Sequence, residues 1–148
     1  MAVIALTQTA SPLNRNISPV LLDQCRIRSF LASVAITAGQ ALYVVAATGR
    51  VALSNSSAAN ALAVFRGIAL NTVGIGYAVE VLEEGYVDGF EIAALAFDAS
   101  VYLQDTAGAI GTAAGTVSAV IGKVVPLSDK DVATGLPSKL LFIKSGLI

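Results

Sequence analysis

The feature that most constrains the fold of this chain is a segment that occurs twice. Residues 40–49 read QALYVVAATG, and residues 99–108 read ASVYLQDTAG. In both, a small residue precedes an apolar–Tyr–apolar triplet, and a short link ends in a Gly before the next apolar residue. This pattern is typical of a strand, a tight turn and the start of a second strand. The two copies therefore predict a fold built from a repeated β unit.

The rest of each unit recurs in the same order. Gly67 in FRGIAL and Gly122 in VIGKVV each interrupt a strand pattern, which marks a bulge or a close approach of two backbones. We expect one all-β domain over residues 29–148, with pseudo-repeats at about 29–87 and 97–148. Two such units are too few for a solenoid, so they should close into a compact barrel or sandwich.

The four tyrosines give two alternatives. They are Tyr43, Tyr77, Tyr86 and Tyr102, and two of them occupy equivalent positions in the two units. They could form a stacking platform for a sugar. Because the chain has no Trp, we prefer equivalent positions in the core or at the barrel mouth.

Residues 1–28 differ from the rest of the chain. They carry Pro12 and Pro19 and show no sustained periodicity, so we expect an extended N-terminal arm. Ser18 followed by Pro19 is the start expected of one helical turn. The apolar residues of the arm need cover, which favours an arm ordered on its own or a neighbouring subunit.

Composition points towards partners. Hydrophobic residues make up 55% of the 148 residues and charged residues 13%, about half the usual 25% or so. Either much of the surface is buried against other proteins, or small residues face water; we favour the first.

Charge is divided unevenly along the chain. Residues 1–66 hold five Arg and one acid, whereas residues 67–148 hold four Lys and nine acids. This division is either chance or a basic N-terminal part that meets an acidic surface. No basic cluster with interleaved aromatic residues occurs, so a nucleic-acid partner is not expected.

A membrane segment is not expected either. Residues 29–49 are free of charge over a length that could span a bilayer. Ser, Thr and Gln interrupt the stretch, however, and no aromatic belt flanks it. The N-terminus has no positive region of the kind that precedes a secretory signal.

The sequence offers no set of residues for catalysis. The chain has no His, which excludes Ser-His-Asp and Cys-His arrangements and His-based metal sites. Cys25 has no base nearby in the sequence and is read as a small apolar residue. Glu83 and Glu84 precede Gly85 and predict a solvated turn rather than a catalytic pair. We therefore expect no enzyme, no catalytic residue, no cofactor and no metal.

The strand and turn motifs resemble those of the capsid decoration, or cement, proteins of tailed bacteriophages. The resemblance covers residues 30–148 and rests on ITAGQALYVVAATGRVAL, VFRGIALNT, AVEVLEEGYV and ASVYLQDTAGAIGTAAGTVSAVIGKVV. It implies a structural virion protein on the outer capsid surface, commonly a homotrimer, that bridges subunits of the major capsid protein. The family has no catalytic residues to carry over.

Candidate partner-binding residues come from the basic arm. Arg15, Arg26 and Arg28 are its three cationic side chains, and we expect the arm to latch onto a neighbouring surface. The alternative function is a carbohydrate- or receptor-binding β module on a virion surface.

Overall fold

The computed structural model describes residues 17–57, 64–92, 94–127 and 135–145. Their regular structure is all β, with one 3-10 turn at Leu22–Gln24 and no α-helix among them, so the predicted fold class is confirmed. The strands are β1 Ser18–Val20, β2 Arg26–Leu31, β3 Ala41–Val44, β4 Val51–Leu53, β5 Gly67–Ala69, β6 Ala78–Asp88, β7 Ser100–Leu103, β8 Ile110–Gly111, β9 Val120–Pro126 and β10 Lys139–Lys144.

The strands form one curled antiparallel sheet, a half-barrel, in the order β4-β3-β5-β6-β10-β9-β7-β8. The eleven-residue strand β6 is its centre, because β5 and β10 pair with one edge and β1 and β2 pair with the other. Ala32, just beyond β2, forms a bridge to Val51 of β4, which draws that end of the sheet towards closure.

The sheet order has the form that a repeated unit would give. The order divides into two series of four strands, β6-β5-β3-β4 and β10-β9-β7-β8, and each strand of the first series corresponds to the strand at the same place in the second. Each Tyr-centred strand pairs with the short strand that follows it, Tyr43 opposite Ala52 and Tyr102 opposite Gly111. The internal repeat itself stays a prediction from the sequence.

Strand β6 contains a bulge and contributes residues to two hydrophobic clusters. Along β2, Arg26 pairs with Glu84 and Ile27 with Leu82, so Glu83 is the extra residue. The bulge shifts the alternation of side chains. Val79 and Val81 lie in the smaller cluster and Leu82 in the larger. The predicted solvated turn at Glu83 and Glu84 is therefore wrong, because β6 continues through both residues.

The larger cluster is built mainly from the C-terminal half of the chain and the smaller from residues 32–81. Fully buried members of the larger cluster include Leu103, Ile121, Leu141 and Ile143. The smaller cluster contains Ala32, Ile36, Leu42, Val51, Ala69, Val79 and Val81.

The described segment before β2 is a short strand followed by a 3-10 turn. Ser18 and Pro19 lie in β1, where Pro19 pairs with Val87, so the helical turn predicted to start there is wrong. Pro is tolerated because an edge strand has one side without ladder hydrogen bonds. The 3-10 turn follows, after Leu21 with its positive φ of 54°. The predicted arm residues 1–16 lie outside the described residues.

The tyrosines do not fill the core. Tyr43, Tyr86 and Tyr102 are half-buried, and the Tyr86 ring packs on Phe142 with centroids 5.1 Å apart. Tyr77 is 70% exposed, so a core position is wrong for Tyr77.

Across the described parts of the chain, we find no helix with the length and apolar character needed to cross a membrane.

Candidate functional site

The bulge residue Glu83 is the centre of a charged cluster. Its side chain is 2% exposed. Leu82, which precedes it, and Gly85, two residues further on, are buried as well. A bulge re-aims the extra side chain relative to the regular alternation of the strand. A carboxylate this buried requires ionic and hydrogen-bonding partners, because burying a lone charge is costly.

Three arginines supply those partners. Arg26 Nε lies 3.2 Å from Glu83 Oε1, Arg66 Nη1 lies 3.3 Å from Oε2, and Arg28 Nη1 lies 3.7 Å from Oε2. Arg26 also reaches Glu84 Oε1 at 3.7 Å. Both oxygens of Glu83 are therefore occupied by guanidinium groups, two from β2 and one from Arg66, just before β5.

Two of these guanidinium groups, those of Arg28 and Arg66, lie over the aromatic ring of Phe30. The central carbon of the Arg28 guanidinium lies 5.2 Å from the centre of the Phe30 ring, and that of Arg66 lies 5.9 Å from it. These are cation–π distances. Arg26, Arg28 and Phe30 alternate along β2, so their side chains share one face of that strand.

A groove of about 790 Å³ opens over this cluster. Strands β9 and β10 form its opposite wall, where Val120, Ile121 and Phe142 supply apolar surface and Lys123 and Lys144 add positive charge. The volume is within the range of small-molecule and peptide-side-chain sites. We call this cavity the arginine groove.

The charge of the arginine groove is positive. Its lining has five cationic side chains, the three arginines and two lysines, against two carboxylates, Glu83 and Glu84. Asp98, which is not part of the lining, forms an ion pair with Lys123 at 3.3 Å. Two positive charges remain without a matching carboxylate.

Arg26 and Arg28 retain donors for a further ligand. Their side chains are 54% and 57% exposed, compared with 22% for Arg66. A guanidinium has five N–H donors, and each of these two groups uses few of them on glutamate. The groove can therefore recognise an anion by charge-assisted hydrogen bonds.

An exposed apolar patch lies at the far end of β2. Leu31 is 47% exposed, Ile75 66% and Tyr77 70%. They lie at the same end of the β2–β6 pair. Leu31 pairs with Ala78, the Ala32 N–H donates to the Tyr77 carbonyl at 3.0 Å, and the N–H of Gly76, which follows Ile75, donates to the Ala32 carbonyl at 2.8 Å. We call these three residues the Leu31 patch. Exposed apolar groups of this kind mark interaction surfaces.

Sequence reasoning found part of this site. Arg26 and Arg28 were predicted to bind a partner, and the structure brings them together on Glu83. Arg15 lies outside the described residues. Arg66, Lys123, Lys144 and the buried role of Glu83 were missed. The local signal of the site was the alternation Arg-x-Arg-x-Phe in β2, which does not include any of them.

Cys25 takes no part in the groove. It is half-buried, its thiol donates to the Val20 carbonyl with Sγ 3.2 Å from the oxygen, and it packs against the larger hydrophobic cluster. Among the described residues, no group of three or more His, Cys, Asp or Glu comes together in a way that could hold a metal ion.

Comparisons of the chain with models of known protein families, with curated proteins and with solved structures found no match.

Proposed function

We propose that this chain is a structural virion protein that binds the outer surface of a phage capsid and stabilises it by bridging capsid subunits, as a homotrimer. The observation that carries the proposal is the exposure of β2. Five of its six residues are exposed, and the strand contributes residues to both the arginine groove and the Leu31 patch. A strand with so much uncovered surface on both faces is suited to being covered by another protein.

The chemistry of this surface supports binding rather than turnover. The groove holds cations around a buried carboxylate, and the patch next to it is apolar. Surfaces that combine an apolar centre with Arg are typical of protein interfaces. The strand and turn motifs shared with capsid decoration proteins support the same assignment.

Stabilisation of a shell does not require tight binding at each position. Burial of apolar surface contributes roughly 25 cal/mol per Å². A bridging protein that occupies many symmetric positions, and contacts two subunits at each, gains avidity because its second contact is intramolecular. We expect the partner to be the major capsid protein, contacted through Arg26 and Arg28, and through Arg15 if the N-terminal residues reach the same surface.

The experiment that tests the proposal is co-sedimentation. Heads assembled from the major capsid protein of the same phage, made without this chain, are mixed with purified protein and pelleted. We expect the wild-type chain to pellet with the heads and the variants Leu31→Asp and Tyr77→Asp to stay in the supernatant. Val64→Asp is the matched control, since Val64 is 55% exposed and belongs neither to β2 nor to the Leu31 patch. Wild-type protein that does not pellet would contradict the proposal.

The trimer is tested separately. Light scattering during size exclusion should give three times the 15.0 kDa monomer mass. A monomer at all concentrations would contradict the homotrimer, although it would leave capsid binding open to the sedimentation test.

One observation favours the alternative, a carbohydrate- or receptor-binding module. The ring of Tyr77 is 70% exposed and presents an aromatic face on which a sugar could stack. Binding to a glycan array that free sugar competes away, and that Tyr77→Ala abolishes, would replace capsid binding as the assigned function.

A further inference from the structure

We propose that the outer edge of β2 pairs with an extended acidic segment of the partner protein, whose two carboxylates, two residues apart, bind Arg26 and Arg28. The partner is the protein on which the chain docks, so this inference rests on the proposed function. Strand β2 would then pair with the backbone of the partner segment and also bind its carboxylates.

β2 has an edge available for such pairing. It pairs with β6 along Arg26–Leu31, and among the residues that the structure describes no strand pairs with its opposite edge over that range. Only at Ala32 and Ser33, beyond the strand, does the chain meet Val51 of β4. An exposed edge of unpaired N–H and C=O groups is a template for strand addition.

The spacing of the arginines sets the spacing of the ligand's charges. Arg26 and Arg28 lie two residues apart on one face of the strand, a separation of roughly 6.6 Å along its axis. Residues two apart on an added strand share that face as well. An acidic–x–acidic segment would therefore place one carboxylate opposite each arginine, as favourable cross-strand pairs.

The charge balance of the arginine groove limits the ligand. Five cations face three carboxylates, Glu83, Glu84 and the Asp98 partner of Lys123, so a ligand carrying two negative charges neutralises the site. A nucleic-acid strand carries a charge about every 3.4 Å and would meet Glu83 and Glu84 inside the same groove. Two carboxylates on a peptide fit better than a run of phosphates.

The chain's own N-terminal segment does not fit this chemistry. Residues 1–16 contain neither Asp nor Glu and carry Arg15. Charge complementarity therefore argues against residues 1–16 as the occupant.

The test uses the full-length protein and two synthetic peptides, blocked at both ends. One has the sequence Ser-Thr-Glu-Thr-Glu-Thr-Ser, and the control has Gln in place of both Glu. Calorimetry should detect binding of the Glu peptide, weakened about two- to thirty-fold in the Arg26→Gln, Arg28→Gln double variant, as expected for the loss of two opposite-charge pairs. Arg50→Gln is the control, because Arg50 lies outside the groove lining.

A second measurement is specific to strand addition and does not depend on a variant that folds. Amide hydrogen exchange of the wild-type protein should show protection of residues in Arg26–Leu31 when the Glu peptide is added. Binding without protection there, or equal binding of the Gln peptide, would overturn the inference.

Three further outcomes also decide the question. No binding of the Glu peptide overturns the inference while leaving capsid binding to the sedimentation test. Tighter binding of a single-stranded oligonucleotide at the same salt overturns it in favour of nucleic acid. A trimer that dissociates in the double variant overturns the choice of partner, since the occupant would then be a second copy of the chain.

Discussion

Gly67 in β5 and Gly122 in β9 meet their neighbouring strands in the same way. A Cβ atom on Gly67 would overlap the carbonyl oxygen of Leu82 in β6, and a Cβ atom on Gly122 would overlap the carbonyl oxygen of Phe142 in β10. The sequence left two alternatives open for Gly67, a bulge or a close backbone approach, and the structure shows the close approach. Both contacts involve backbone, which cannot move aside as a flexible side chain can.

Alanine at either position should therefore be strongly destabilising. We expect Gly67→Ala and Gly122→Ala each to lower the free energy of unfolding by about 3 kcal/mol or more, at the upper end of overpacking effects. Gly74→Ala is the control, since the nearest atom to its Cβ would be 3.7 Å away, and should change stability by less than about 0.5 kcal/mol. Urea denaturation measures all three; a small effect at both buried glycines would show that the two strands are not held this closely.

The buried carboxylate of Glu83 should stabilise the sheet. Glu83→Gln removes the negative charge that three arginines share, and we expect a loss of about 2 kcal/mol, typical of a hydrogen bond between charged groups. Glu84→Gln is the matched control on the adjacent residue. Because Glu84 is 39% exposed and has one arginine contact at 3.7 Å, its loss should stay below about 1 kcal/mol. Equal effects of the two substitutions in thermal unfolding would contradict the central place of Glu83.

Asp105 should make the free energy of unfolding depend on pH in the acid range. The Thr116 N–H donates to Asp105 Oδ1 at 2.8 Å and the Thr116 hydroxyl donates to Oδ2 at 2.7 Å. These bonds, the backbone bond first, lower the pKa of Asp105 below its ordinary value of 3.8. A carboxyl whose pKa is lower in the folded state contributes stability that is present above the ordinary value and lost as pH falls through the folded-state pKa.

Asp105→Asn should therefore be less stable than the wild type at pH 7, with a difference that shrinks as the pH falls below about 3.8. Thr116→Val removes the hydroxyl donor but keeps the backbone N–H, so its effect at pH 7 should be intermediate. Denaturant unfolding at pH 7 and pH 3 measures both. A difference in unfolding free energy between the wild type and Asp105→Asn that is larger at pH 3 than at pH 7 would contradict this prediction.

The fold class was predictable because strand and turn signals are local. The Tyr-centred strands, the glycine turns after them and the close approach at Gly67 each depend on a few neighbouring residues. The sheet order was not predictable in the same way, because pairing between β6 and β10 depends on contacts nearly sixty residues apart.

The bulge at Glu83 is the main feature that the sequence concealed. Two adjacent acids before a Gly are typical of an exposed turn, yet here the partners that keep Glu83 buried come from positions 26, 28 and 66. Ser18 and Pro19 were misassigned for the same reason, since their pairing with β6 overrides a local helix-start signal. Arg26 and Arg28, two of the five cationic residues that line the groove, were named from the sequence because both lie on one short strand.

The proposed stabilisation of a capsid is tested most directly by a measurement on the capsid itself. DNA-filled heads prepared without the protein are heated with and without the purified chain, and the temperature of DNA release is followed with a dye. We predict a higher release temperature with wild-type protein and no increase with Leu31→Asp. Heads that bind the wild-type chain but release DNA at an unchanged temperature would contradict the claim.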